Sequence, residues 1–339
     1  MSRQLDIAVV IVTYKTASLA VEALCSLAAE RAAPGLNIRA IVVDNSSEDL
    51  PLIARTVQAR GWHSWVELVA APRNGGFGYG NNLGIRHAYR DGAPAYVYLL
   101  NPDAQVRAGA ISALVDFLQS RPDVGIAGSG FENSDGSDWP IAFRFPSLLG
   151  EVDLGLEFGL VTRILKPWVV AQRMTRIPQP VDWVAGASML IRPAVLAATG
   201  GFDENYFLYY EETDLCYRAR KAGFPTWYVP ASRVMHIGGG STSVTGPQSG
   251  QRRLPAYWFA SRRRYFAVTY GVGRAMAIDV VAVLAHSAGH LKRLLQGRRR
   301  RARPHYIRDL LRYSVLWPHN RQFPQARGYT PPTERSEAL

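Results

Sequence analysis

Asp103 stands directly behind an apolar run, residues 96–100 (YVYLL), in the sequence Asn101-Pro102-Asp103. A carboxylate at the end of a buried strand needs a cation or hydrogen-bond donors to offset its desolvation. A Mg2+ or Mn2+ ion that takes one or two protein carboxylates, and fills its shell with phosphate and water, suits that position. The structural alternative is an N-cap for a helix expected from Ala108, although the gap is long for a cap. Asp44 ends a second apolar run, where it either closes a turn or accepts a hydrogen bond from a nucleobase. Glu211-Glu212-Thr213-Asp214 open an expected helix behind the aromatic run 206–210. Acids in a first turn complement the helix dipole. Three carboxylates within four residues also repel one another, and an aromatic flank lowers the local dielectric. Both effects raise a carboxyl pKa toward the range of a general base. His236 ends a strand ahead of a glycine-rich segment, as a structural histidine or as a metal or phosphate contact.

Residues 73–82 (RNGGFGYGNN) form the most unusual local stretch. Its glycines resemble a dinucleotide loop, but Asn81 holds the third glycine position and the stretch follows the third strand, where that fingerprint follows the first. A glycine-rich turn that brings backbone amides and Asn or Arg side chains to a diphosphate is the better reading.

These residues need a scaffold, and the hydropathy pattern supplies one. Residues 5–12, 38–43, 66–70 and 96–100 read as strands, the first rich in β-branched residues. Helical spacing covers 18–30 with Ser18 as N-cap, then 50–60 and 82–89. A strand over 183–192, a short helix from Pro193, a helix over 212–222 and a strand over 226–229 follow. Strands alternating with helices predict an α/β fold with a mainly parallel central sheet flanked by helices. Ligands of such sheets sit beyond the carboxyl ends of the strands. Thr13-Tyr14, Asp44-Asn45 and Asn101-Pro102-Asp103 all fall at that edge. Residues 139–180 show no clear period, and 238–250 read as a mobile loop.

The chain has 339 residues, 47% hydrophobic and 19% charged, which excludes a disordered polypeptide and allows one large domain with an appendage. Cys25 and Cys216 make neither a disulfide framework nor a zinc cluster, and residues 1–6 lack a signal-peptide pattern, so a cytoplasmic setting is expected. The net charge of +12 is localised: residues 252–339 carry 18 Lys/Arg against four acids, or +14, and the rest of the chain carries −2. A basic end favours a polyanionic surface, lipid or nucleic acid. No nucleic-acid recognition motif accompanies it. Residues 275–295 are apolar but interrupted by charges, and fall short of the about 20 apolar residues of a membrane span. With the arginines at 298–301 they predict a basic amphipathic helical tail on an anionic membrane surface.

Taken together, Val10-Ile11-Val12-Thr13-Tyr14, Val42-Val43-Asp44-Asn45-Ser46, Asn74-Gly75-Gly76-Phe77 with Asn81-Asn82, Asn101-Pro102-Asp103, Gly186-Ala187, Gly200-Gly201-Phe202-Asp203-Glu204, Tyr209 to Cys216 and His236 resemble family 2 glycosyltransferases. The likeness is to bacterial rhamnosyltransferase-like members that build surface polysaccharides, and it covers roughly residues 5–270. It implies a GT-A fold, a divalent cation (Mg2+ or Mn2+) and inversion at the anomeric carbon. It places Thr13, Tyr14 and Asp44 on the nucleoside, Asn74, Asn81 and Asn101 around the donor, and Asp103 and His236 at the metal. The base falls on Glu212 or its neighbour Glu211, and Asp214 either joins them, positions the acceptor or caps the helix. Asn101 stands where many members have the first Asp of Asp-x-Asp, and Glu211-Glu212 where they have Glu-Asp. The expected reaction moves a sugar from a nucleoside-diphosphate sugar, dTDP-rhamnose or a UDP-sugar, to a polyprenyl-linked saccharide acceptor. The expected organisation is a catalytic domain over 1–251, with its donor half in 5–130 and acceptor half in 131–251, followed by the membrane-facing tail 252–339. The peripheral position is expected on the inner face of the cell membrane. A metal-dependent nucleotidyltransferase also fits an acid at a strand end, but residues 13–16 lack the glycine of its first loop. A non-catalytic nucleotide-sugar binding protein is the third reading.

Overall fold

Apolar runs in the first hundred residues become parallel strands covered on both faces, as their composition predicts. β1 (Leu5–Thr13), β2 (Leu36–Asp44), β3 (Val66–Ala70) and β4 (Tyr96–Leu100) lie side by side in the order β3-β2-β1-β4, all parallel. The chain winds outward from β1 to β3 and then returns to lay β4 on the other side of β1. This makes the carboxyl ends of β1 and β4 a topological switch point. Thr13 and Asp44 are register partners at that edge. This computed structural model describes residues 5–32, 35–133, 136–139, 142–172, 174–236, 252–297 and 303–326; the expected loop 238–250 and the arginines 298–301 lie outside them.

The second half completes the sheet with β5 (Ala104–Val106), β6 (Ile126–Glu132), β7 (Asp138–Trp139), β8 (Ala142–Phe143), β9 (Gln179–Val181), β10 (Trp183–Val184), β11 (Ser188–Ile191) and β12 (Thr226–His236). The full order is β3-β2-β1-β4-β11-β6-β12-β5, with β7 and β9 on its flank and β8 paired to β10 apart from it. β11 is antiparallel to both β4 and β6, while β6 and β12 are parallel. A file of hydroxyls crosses this seam: Tyr98 to Ser188 at 2.6 Å, Ser188 to Ser129 at 2.5 Å and Ser129 to Ser232 at 2.7 Å. A hydroxyl can both donate and accept, so Ser188 and Ser129 in the middle of the file each bond to two neighbours and every hydroxyl of the file has a partner. The strand expected over 183–192 is broken at 185–187, and the strand expected to stop at Val229 continues to His236.

Helices α1 (Ala17–Glu30), α2 (Leu50–Ala59), α3 (Phe77–Ala88) and α4 (Ala110–Ser120) cover the first half. α3 begins at Phe77, ahead of the expected Asn82, because its glycines are helical and face the sheet. A Cβ on Gly80 would fall 2.6 Å from Val12 Cγ1, and one on Gly84 2.4 Å from Val10 Cγ1. Asp103 does not cap α4. The buried Glu30 carboxylate does, accepting from the Gly109 amide at 2.8 Å and the Ile111 amide at 2.9 Å.

The remaining helices are α5 (Leu148–Leu156), α6 (Gly159–Ile164), α7 (Pro193–Thr199), α8 (Glu211–Lys221), α9 (Ala256–Tyr270), α10 (Val272–Leu295) and α11 (Tyr306–Arg312). The basic end is not a loose tail through this region. Arg262, buried in α9, donates to Glu151 of α5 at 2.8 Å and to Asp279 of α10 at 2.5 Å. Arg264 donates to Asp203 at 2.8 Å, and the Ser261 hydroxyl donates to the Leu208 carbonyl at 2.9 Å, tying α9 to the loop before α8. Arg253 is bonded to Asp309 at 2.6 Å. Several arginines expected to face a polyanion are therefore consumed within the fold. α10 also corrects the expectation that its apolar run, interrupted by charges, falls short of a span: the helix has 24 residues and an 18-residue stretch of mean hydropathy 1.3, enough to cross a membrane by length and composition alone.

Candidate active site

At the end of β1 the Thr13 hydroxyl donates to Asp49 at 2.5 Å and lies 2.9 Å from the Thr16 hydroxyl, with the side chain fully buried. The Thr13 hydroxyl, expected on the nucleoside, is enclosed and fixes the turn. Tyr14 is half-buried, with the exposed Lys15 ammonium 5.4 Å from its ring centre. Asp44 closes its own turn. One carboxylate oxygen accepts from the Ser47 amide at 2.9 Å and hydroxyl at 2.6 Å, and the other accepts from the Asp49 amide at 3.0 Å. The second oxygen, with a single donor, retains acceptor capacity, so these bonds orient the acid at the sheet edge without exhausting it.

The glycine-rich turn is held by asparagines. Asn45 donates to Asn74 at 3.0 Å and to the Gly76 carbonyl at 3.1 Å, and the Gly76 amide donates to Asn74 at 3.1 Å. Gly76 has φ +89°, and a Cβ there would meet the Phe207 carbonyl oxygen. Only glycine admits both the conformation and the approach. Asn81 is buried and donates to the Phe77 carbonyl at 3.0 Å, a bond inside its own helix. Its neighbour Asn82, also part of the family likeness, brackets the two halves. It donates to the Phe202 carbonyl and to Glu204, both at 2.9 Å, and accepts from the Phe202 amide at 3.0 Å.

Asp103 and His236 come together from residues far apart in sequence. β12 pairs with β5 so that His236 lies opposite Ala104, and the His236 Nε2 sits 3.1 Å from an Asp103 carboxylate oxygen. Trp139 stacks on the imidazole with centroids 4.7 Å apart and planes 20° from parallel. The His236 Nδ1 is buried and has no hydrogen-bond partner among the described residues. The Asn101 amide donates to the Ala187 carbonyl at 3.0 Å, which ties this corner to the 185–187 break in the β10–β11 strand.

The acids of α8 meet the other side of that break. Tyr209 and Tyr210 both have φ +69°, a left-handed conformation that bulky residues rarely adopt and that marks functional turns. The Phe77 amide donates to the Phe207 carbonyl at 3.1 Å, so the strained segment lies over the start of α3. A Cβ on Gly186 would fall 2.9 Å from the Phe77 ring and 3.8 Å from Glu212 Cβ. Gly186 thus lets Phe77 and Glu212 close on the same loop whose other residue holds Asn101. Burial pushes the Glu212 carboxyl up to about 7, against the opposing pull of the Gly186 amide. Burial and then the Glu212 charge push Glu211 well above the ordinary carboxyl range. An oxygen of each carboxylate is buried without a partner among the described residues. Glu211 is 2% exposed, whereas Glu212 is only half-buried.

Asp214, the third acid of the stretch, is engaged by an arginine of its own helix. Its carboxylate accepts from Arg218 at 2.7 Å, and Arg218 in turn donates to the Thr199 and Gly201 carbonyls. Nor does its side chain cap α8. Sequence reasoning missed Asp49 and Trp139, and it noted Asn82 and Gly186 only as part of the family likeness, without a role. Asp49 and Asn82 are short-range polar residues with distant partners, Trp139 lies in an aperiodic stretch, and Gly186 shows only as a glycine inside a strand pattern, a known sign of close approach.

The family model described as glycosyltransferase like family 2 matches residues 4–271, from β1 through the end of α9. The chain belongs to that family. An N-acetylglucosaminyl-diphospho-decaprenol L-rhamnosyltransferase of Mycobacterium tuberculosis (strain CDC 1551 / Oshkosh) is 36% identical over 150 residues, 42% of this chain and 46% of that one. The rhamnosyltransferase WbbL of Escherichia coli (strain K12) is 28% identical over 165 residues, 48% of this chain and 60% of that one. The chain therefore spans about half the length of these curated relatives. Among solved structures, GalNAc-T7 with UDP, GalNAc and Mn2+ superposes with a TM-score of 0.56 at 15% identity, over 88% of this chain and 56% of that one. The chain has the GT-A fold: a mixed α/β domain on a mostly parallel sheet. Membership in the family, rather than any single loop, sets aside the dinucleotide enzyme and the nucleotidyltransferase.

Proposed function

We propose that the chain is an inverting glycosyltransferase of glycan biosynthesis, moving a sugar from a nucleoside-diphosphate donor to a saccharide hydroxyl with Glu212 as general base. The observation that carries this is the unequal pair at the start of α8. Glu211 is enclosed and its carboxyl is pushed well above the ordinary range by burial and then by the neighbouring Glu212 charge, whereas burial pushes Glu212 up to about 7 and part of its side chain stays accessible. A base titrating near the working pH combines ionised population with proton affinity. Glu212 accepts the acceptor's hydroxyl proton as that oxygen attacks the anomeric carbon, and the bond to the diphosphate oxygen breaks on the opposite face. Tyr209 and Tyr210 hold the first turn of α8 against α3, and Gly186 gives the base room and a hydrogen bond.

The Asp103–His236 pair fits a divalent cation. A carboxylate and an imidazole converge, the imidazole is oriented by Trp139, and no third His, Cys, Asp or Glu joins them among the described residues. Mg2+ or Mn2+ held by Asp103 and His236 would neutralise charge on the leaving diphosphate. With two protein ligands the remaining positions belong to donor phosphate and water, so affinity for the free ion is low. Asp44, Tyr14, Asn74 and Asn101 stand at the donor edge and are assigned to the nucleoside diphosphate.

Both named relatives favour rhamnose as the sugar, and the name of the first favours a polyprenyl-diphosphate-linked saccharide as the acceptor; a place on a membrane's inner surface is assigned from that lipid-linked acceptor. The donor half is assigned to residues 5–130 and the acceptor half to residues 131–251 with α9 added. Incubating the protein with dTDP-rhamnose, UDP-sugars and GDP-sugars, with Mn2+ or with chelator, tests the reading. Metal-dependent release of nucleoside diphosphate from one donor is expected, and no turnover of any donor in either condition would contradict it.

A further inference from the structure

α10 is apolar on two opposite faces. Its inner face docks on the body: a Cβ on Gly289 would fall 2.0 Å from the Gly155 carbonyl oxygen of α5, and Asp279 is bonded to the buried Arg262. On the outer face Val280, Leu284, Leu291 and Leu295 are spaced four, seven and four residues apart and are 42%, 63%, 58% and 81% exposed. At about 100° per residue they fall within one sector of roughly 60°. Beside them, Phe158, Leu160 and Ile164 at the start and along α6 are equally uncovered. Lys292 joins the two helices, its ammonium donating to the Glu157 carbonyl at 2.6 Å and lying 5.6 Å from the Phe158 ring centre. Arg163 and Lys166 are exposed alongside.

We propose that this joint face of α6 and α10 seats on an anionic lipid surface, with α10 lying in the interface plane. It rests on the proposed lipid-linked acceptor for its purpose and extends the membrane contact from the basic end to residues 158–166. Crossing the bilayer would strip α10 from α5 and expose the Arg262–Asp279–Glu151 cluster to hydrocarbon, where each unsatisfied polar group costs several kcal/mol. Charge decides between lipid and a second copy of the chain. Each copy carries +12, with +14 in residues 252–339, so two copies repel where an anionic headgroup attracts. An apolar stripe flanked by Lys and Arg is the pattern of helices that lie on membranes.

Co-sedimentation with phosphatidylcholine vesicles, with and without about 30% phosphatidylglycerol, tests this on the full chain. The protein is expected to bind the anionic vesicles. L284S/L291S/L295S, and separately L160S/I164S, should each lower the bound fraction roughly tenfold or more at an unchanged melting temperature. Because the two variants lie on different helices, misfolding of one leaves the other decisive. Wild-type binding by both variants, or no binding by the parent, overturns the proposal. So does a concentration-dependent dimer that the variants make monomeric, since a second copy then covers the stripe. Donor hydrolysis measured without lipid separates the two claims: it should be the same in parent and variants, and its absence would count against the enzymatic reading alone.

Discussion

Two adjacent glutamates share a helix turn, and burial separates their roles. Glu212 must be ionised to accept a proton, so kcat/KM should fall as pH drops through about 7, and the profile should lose that limb in Glu212→Gln. The same group makes a stability prediction of defined sign. Its folded-state pKa lies above its unfolded value, so folding favours the neutral form. That contribution is complete below the ordinary carboxyl range and is lost as pH rises through about 7. Glu212→Gln should therefore melt higher than the parent at pH about 8 and equally at pH about 4. At the opposite corner, Asp103→Ala and His236→Ala should each lower metal-dependent turnover by about 10² or more while leaving the fold intact. Calorimetry should show Mn2+ binding tightly only when nucleoside diphosphate is present.

At the scale of elements, the glycines of α3 let a helix lie close against β1. Gly84→Ala forces a methyl to 2.4 Å from a stiff valine, and the overpacking of about 1–3 kcal/mol outweighs the helix propensity gained. A lower denaturation midpoint with an unchanged m-value checks it. The periodicity of the sequence located β3 and β4 to the residue, because parallel strands buried on both faces have no competing pattern. It placed the start of α3 late, since glycines read as loop until the sheet they pack on is known. It stopped β12 at Val229, where Pro230 and polar residues end the apolar run although pairing with β5 and β6 continues to His236. The site was legible where an acid follows an apolar run, as at Asp44 and Asp103. It was not where a role depends on a distant partner: Thr13 faces Asp49, Asp214 faces Arg218, and Trp139 meets His236 across the sheet.

The whole molecule joins a sheet-edge site to helices that carry the excess positive charge, and the buried Arg262 is the joint between them. Asp279→Ala leaves that guanidinium short of a partner in the interior and should destabilise by about 3–5 kcal/mol, read as a drop in melting temperature. The central claim is that Glu212, rather than the more deeply buried Glu211, performs the proton transfer. Its most direct test is single-turnover transfer with a cognate donor and Mn2+ at neutral pH for Glu212→Gln and Glu211→Gln, both verified as folded. The account predicts a loss of about 10²–10⁴ in rate for Glu212→Gln and a loss under about tenfold for Glu211→Gln. Near-parental rate in Glu212→Gln would contradict it.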